Sequence, residues 1–223
     1  MPAPLTSRAL LFDMDGTLVD STAVIERTWR CFADRHGLDV ADILADSHGR
    51  RSEETIARHL PAGADLAAEV ALVDEQEMRD LDGVVAVPGA AELLGELPAG
   101  RWALVTSAGA ELAARRMSAV GLPMPDVVVT AEDVRLGKPA PEGYRKAAAA
   151  LGVLPEQTVI FEDAEAGIAA ALAAGGRTVV LGTHEGPVTS GLARIRDFRG
   201  VRVRHEPTGL VVELSTDQPA RHR

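Results

Sequence analysis

Apolar residues gather into short unbroken runs at 9–12, 102–105, 127–129, 158–161 and 178–181. Runs of this length that do not alternate predict strands covered on both faces. From the second run onward each is separated from the next by a stretch with helical spacing, so the pattern predicts β-α alternation, with a parallel sheet between helices. The interval from Asp13 to Arg101 is far longer than one crossover needs. Within it, 21–36 reads as a helix with Ile25, Trp29, Phe32 and His36 near one face and Gly37 as its stop. The same pattern places Cys31 in the core and predicts further helices at 65–81 and 90–97. Residues 22–86 are therefore predicted as a helical insertion, with Val87-Pro88-Gly89 returning the chain to the core, which comprises 1–21 and 87–223.

Alanine-rich stretches at 147–150 and 169–174 are good helix formers that permit close packing. Beyond Leu181 the pattern decays, except that 201–214 alternates as a hairpin would, with its turn near Pro207 to Gly209. Residues 216–223 read as a frayed tail.

Composition narrows the class. A chain of 223 residues, 46% hydrophobic, can bury a sizeable core. Its formal charge of -10 argues against nonspecific nucleic-acid binding, so an anionic substrate would need local cations. The single cysteine excludes an internal disulfide and suits a reducing compartment. No apolar run approaches membrane-span length and Met1 to Ser7 lack a signal-peptide pattern, so a cytoplasmic monomer without membrane or nucleic-acid partners is expected.

The chemistry lies where the predicted strands end. The first closes as LLFDMDGTLVDS, and Asp13 and Asp15, two residues apart, project their carboxylates to one side. The second closes as VTSAG, where Thr106 and Ser107 precede a helix and serve either as ordinary caps or as a phosphate cradle. After the third comes RLGKPAPEGY, whose Lys138 is either solvated or a charge aimed inward. The fourth closes as VIFEDAEAG, whose Glu162 and Asp163 are either a helix-start charge preference or further acids of one site. Parallel sheets gather ligands at the carboxyl ends of their strands, and all four signals fall there. Asp13, Asp15, Asp163 and Glu162 in one crevice call for a hard cation of the magnesium type, with Lys138 and Thr106 left to meet phosphoryl oxygens.

In this order DMDGTLVDS, VTSAG, GKPAPEGY and FEDAEAGIAAALAAG resemble the haloacid dehalogenase-like superfamily, in its phosphatase and phosphomutase branch with a helical cap after the first strand. The resemblance covers residues 9–183 and implies an α/β fold: a Rossmann-like, doubly wound parallel sheet core with an inserted α-helical cap. It implies Asp13 as nucleophile, Asp15 as general acid/base, Thr106 (with Ser107 beside it) as phosphate binder and Lys138 as the clamp on phosphate and nucleophile. Mg2+ would be held by Asp13, Asp163 and the backbone carbonyl of Asp15, supported by Glu162. A dehalogenase is disfavoured, because such members lack the second aspartate that Asp15 matches. Ala164 departs from the serine many relatives carry.

In the insertion, SHGRRSEET places His48, Arg50 and Arg51 around Gly49, with Ser52 as a helix cap. Each alone reads as a solvated group, but in relatives the matching loop covers the substrate. HGRR with the upstream RHGL is similar to sugar- and polyol-phosphate phosphatases, which makes the predicted substrate a small phosphomonoester, a hexose or hexitol phosphate. The alternative is a sugar phosphomutase of the β-phosphoglucomutase type. At the position of that group's cap histidine this chain has Ile25, which cannot move a proton.

Overall fold

The computed structural model describes residues 3–214. Its main sheet is built from β2 (Ala9–Phe12), β5 (Trp102–Val105), β6 (Val127–Val129), β7 (Thr158–Glu162), β8 (Arg177–Leu181) and β9 (Ala193–Ile195). All six run parallel, in the order β6-β5-β2-β7-β8-β9. The chain reverses direction across the sheet between β2 and its two neighbours, which opens a crevice at their carboxyl ends.

The unbroken apolar runs are explained by cover on both faces. Leu10 and Phe12 of β2 point into one cluster with Leu104, Phe161 and Val179, completed by α5 (Ala90–Glu96) and α6 (Ala110–Ala119). Leu11 points the other way, against Tyr144, Ala147 and Ala148 of α7 (Glu142–Ala150) and Ala170, Ala171 and Ala174 of α8 (Glu165–Ala174). The alanine stretches thus let two helices lie close to the sheet. Phe12 stacks on Phe161 with ring centroids 5.0 Å apart and meets Trp102 and Phe198 edge-on. Truncating such a ring costs about 3–5 kcal/mol.

A second, antiparallel sheet joins β1 (Leu5–Ser7) to the hairpin β10 (Val201–Glu206) and β11 (Gly209–Leu214), in the order β1-β11-β10. The hairpin was legible in the sequence. β1 and β9 were not, since each is three residues long and neither forms an apolar run. The tail at 216–223 lies outside the described residues.

A two-residue ladder of β3 (Val19–Asp20) and β4 (Val85–Ala86) brackets four helices: α1 (Thr22–His36), α2 (Val40–Ser47), α3 (Ser52–His59) and α4 (Leu66–Arg79). They share an apolar cluster of Trp29, Phe32, Ala33, Ile43, Ile56 and Val73. Gly37 ends α1 in the left-handed conformation at φ 65°, as its place in the sequence suggested. Cys31, expected in the core, is exposed, because the buried face of α1 carries Val24, Thr28, Trp29, Phe32 and Ala33 and Cys31 lies across the helix from Trp29. Ser52 is the first helical residue rather than the cap, which is Arg51. Among the described residues no helix is long and apolar enough to cross a membrane.

Candidate active site

Asp13 follows β2 directly and is buried, with its N–H on the Phe161 carbonyl at 3.1 Å. Its Oδ1 accepts from Lys138 Nζ at 2.5 Å, and the same ammonium donates to Glu162 Oε1 at 2.7 Å and to the Val105 carbonyl at 3.1 Å. Lys138, whose place in a loop left it open to solvent on sequence grounds, is thus drawn under the ends of three strands. Tyr144 of α7 donates to Glu162 Oε1 at 2.5 Å and lies beneath the ammonium, 5.3 Å from ring centroid to Nζ.

Two glycines make this crowding possible. Gly16 has φ +82°, and a Cβ there would stand 2.0 Å from Asp163 Oδ2. At Gly167, on the first turn of α8, a Cβ would fall 1.8 Å from Glu162 Oε1. Thr17 Oγ1 donates to Asp163 Oδ1 at 3.3 Å, tying the loop after β2 to the end of β7.

Asp13, Glu162 and Asp163 each offer an oxygen within 4.8 Å of the others. Burial above all, and then the charge of Glu162, pushes Asp13 up to about 7 despite Lys138. Burial and the charge of Asp13 raise Asp163 well above the carboxylate range. Burial opposes the charge on Lys138, but Asp13 and Glu162 outweigh it and raise the ammonium further. Three carboxylates against one ammonium, all donors being hard oxygens, fit a divalent cation. The Asp15 carboxylate is not part of this trio. It turns toward Ser21 Oγ, which donates to Oδ1 at 2.6 Å, and toward Arg116 Nη1, which donates to Oδ2 at 2.9 Å.

Beside Asp15 and Asp163 a cavity of about 130 Å³ runs between the strand ends and the inserted helices. Ile25 and Trp29 form an apolar wall, while Ser47, His48, Ser107 and Glu77 offer polar atoms. Thr106 is buried at the end of β5, its Oγ1 accepting from the Ala108 N–H at 3.0 Å. Ser107 donates to the Gly49 carbonyl at 2.8 Å, fastening the SHGRR loop to the core, and Gly49 lies against Ala164. Arg50 and Arg51 are not among the residues lining this cavity. Arg51 reaches the core loop instead, donating Nη2 to the Val134 carbonyl at 2.9 Å, and Arg50 sits near Asp46.

The family model of the haloacid dehalogenase-like hydrolases matches residues 7–175. The chain belongs to that family. It is 45% identical over 173 residues to hexitol phosphatase A of Escherichia coli, covering 75% of this chain and 80% of that protein. It is 41% identical over 177 residues to validoxylamine A 7'-phosphate phosphatase of Streptomyces hygroscopicus, covering 75% and 82% respectively. Among solved structures, CbbY from Rhodobacter sphaeroides in complex with phosphate superposes with a TM-score of 0.72 at 28% identity, over 86% of this chain and 95% of that one. Membership accounts for the order of motifs along the sheet. Tyr144 and Arg116 join the site through Glu162 and Asp15. Tyr144 was readable as part of GKPAPEGY, whereas Arg116 stands in AARRM, which carries no local signal beyond a basic helix.

Proposed function

We propose that this family member is a Mg2+-dependent phosphatase of small sugar or polyol phosphates, hexose or hexitol phosphates in particular, acting through an aspartyl-phosphate. The observation that carries this reading is Asp13 Oδ1 clamped by Lys138 at 2.5 Å, in a buried acid trio whose Asp163 lines a cavity with both polar and apolar walls.

In the first step an Asp13 oxygen bonds to phosphorus while the ester P–O bond breaks, and Asp15 passes a proton to the departing alkoxide. In the second, a water whose proton goes to Asp15 attacks the same phosphorus, the acyl-phosphate P–O bond breaks, and Asp13 is restored with release of phosphate. Lys138 fixes the nucleophile and offsets its repulsion from the phosphate dianion, while the Thr106 hydroxyl and nearby backbone N–H groups bind phosphoryl oxygens. Mg2+ held by Asp13, Asp163 and the Asp15 carbonyl, with Glu162 behind, would supply further charge neutralisation. The inserted helices act as a cap that excludes water and selects the alcohol. The identity to hexitol phosphatase A supports a polyol or sugar leaving group, and Ile25, on the cavity wall where a mutase needs a proton carrier, supports hydrolysis over isomerisation.

The test is phosphate release from a panel of phosphorylated metabolites, with and without excess chelator. The expected result is turnover of hexitol or hexose phosphates that chelation abolishes and Mg2+ restores. Full turnover in chelator, or isomerisation of a sugar phosphate with little phosphate released, would overturn the reading.

A further inference from the structure

Arg116 lies on α6 with only 2% of its surface exposed, among the buried apolar residues Leu112, Ala113 and Met117. Its guanidinium joins two layers of the molecule. Nη1 donates to Asp15 Oδ2 at 2.9 Å, and Nη2 donates to Oε1 of Glu77, on α4 of the inserted helices, at 2.9 Å. Ser21 holds the other oxygen of Asp15 at 2.6 Å, and Ser52 of α3 donates to the other oxygen of Glu77 at 3.2 Å. Every carboxylate oxygen of the pair therefore has a donor, and the Asp15 side chain is fixed from two sides.

A buried arginine is a poor way to gain stability, since apolar residues of similar volume serve as well or better. It does give direction, because a planar fork bonded to two carboxylates holds both in one orientation. We propose that Arg116 is a positioning residue for Asp15, setting the aim of its carboxylate and tying that aim to the seating of α4 through Glu77. The inference rests on the role given to Asp15 under the proposed function. It predicts that displacing the arginine impairs proton delivery to the leaving group more than it impairs phosphate binding.

Phenyl phosphate and 4-nitrophenyl phosphate share one aryl ester scaffold, apart from the nitro group, and differ greatly in how much their leaving groups need a proton. In Arg116→Met, kcat/KM for phenyl phosphate should fall about tenfold or more beyond the fall for the nitro ester, at nearly constant KM. Arg116→Lys, which keeps the charge and loses the fork, should recover part of that difference. If Arg116→Met does not fold, Arg116→Gln carries the same comparison. Equal losses on both esters, with no recovery in Arg116→Lys, would reduce Arg116 to a structural strap and overturn the inference. Asp15→Asn separates the two failures: turnover that survives it overturns the role of Asp15 and the inference together. A selective loss on phenyl phosphate in Asp15→Asn but not in the Arg116 variants overturns the inference alone.

Discussion

Two buried ionic clusters stand side by side at the carboxyl ends of the strands, and they are built on different principles. Around Asp13 three carboxylates crowd together and Lys138 bonds two of them, Asp13 and Glu162. Around Arg116 two carboxylates are each held by one arm of a guanidinium and one serine hydroxyl. In the first, burial and mutual repulsion raise both Asp13 and Asp163, the mark of charge that lacks a partner. In the second, burial raises Glu77, but the adjoining Arg116 pulls against the shift. An ammonium is a point charge and leaves carboxylate oxygens free for something that arrives from outside; a fork that engages acids from two layers closes the network. The difference separates acids that await a ligand from a joint that aims one residue of the same site, Asp15.

The largest expected effect lies on the under-compensated side. Asp13→Asn should reduce turnover by about 10⁴-fold or more while leaving the fold intact, measured by phosphate release beside circular dichroism. Because it also removes one of the crowded charges, the metal-free variant should melt no lower than the parent. A substantial drop in Tm would show that Asp13 is needed for packing and would blur the contrast.

Next, Lys138→Met strands three acids and should destabilise the protein by about 3–5 kcal/mol in urea unfolding. Combined with Asp13→Asn the loss should be clearly smaller than the sum of the single changes, since the two side chains are in contact. Strict additivity would mean that Lys138 acts through packing and not through charge.

A weaker effect should appear in the pH dependence of the chelated protein. Asp13 is raised from 3.8 to about 7, so between those values the folded state holds a proton that the unfolded chain has released. Stability then falls as pH rises through that window and is fully present only below the unfolded value. Differential scanning calorimetry should show the chelated protein losing Tm between about pH 5 and pH 7, at about 2–4 °C per kcal/mol, with Mg2+ widening its advantage as pH rises. A gap independent of pH would place the cation elsewhere.

The smallest effect separates the neighbouring arginines. Arg51 crosses from the insertion to the Val134 carbonyl, whereas Arg50 lies near Asp46. Arg51→Ala should raise KM for a hexitol phosphate several-fold by loosening the loop over the site, and Arg50→Ala should change it less than about twofold. The reverse order would move substrate contact to Arg50.

Much of this protein is legible from one strand end to the next. Buried parallel strands announce themselves as short apolar runs, and the acids at Asp13 and Asp163 stand out because both fall at the carboxyl ends of such runs, where a parallel sheet gathers its ligands. Cys31 was misplaced because helical spacing alone does not say which face turns inward, and Trp29 and Phe32 decide it. The strand Ala193–Ile195 is not legible in the sequence, because a three-residue edge strand with an arginine at its centre has no pattern to show.

The sequence by itself determined the residue types and their order, and with them the sheet, the insertion and the acids at the strand ends, because period, run length and turn chemistry act between near neighbours. Only the tertiary structure decided which charges meet. Lys138 reaches Asp13 across 125 residues, and Arg116 joins Asp15 and Glu77 across 101 and 39. Contacts over such separations depend on how whole elements pack, and the favourable partner for a buried charge is known only once that packing has excluded water from around it.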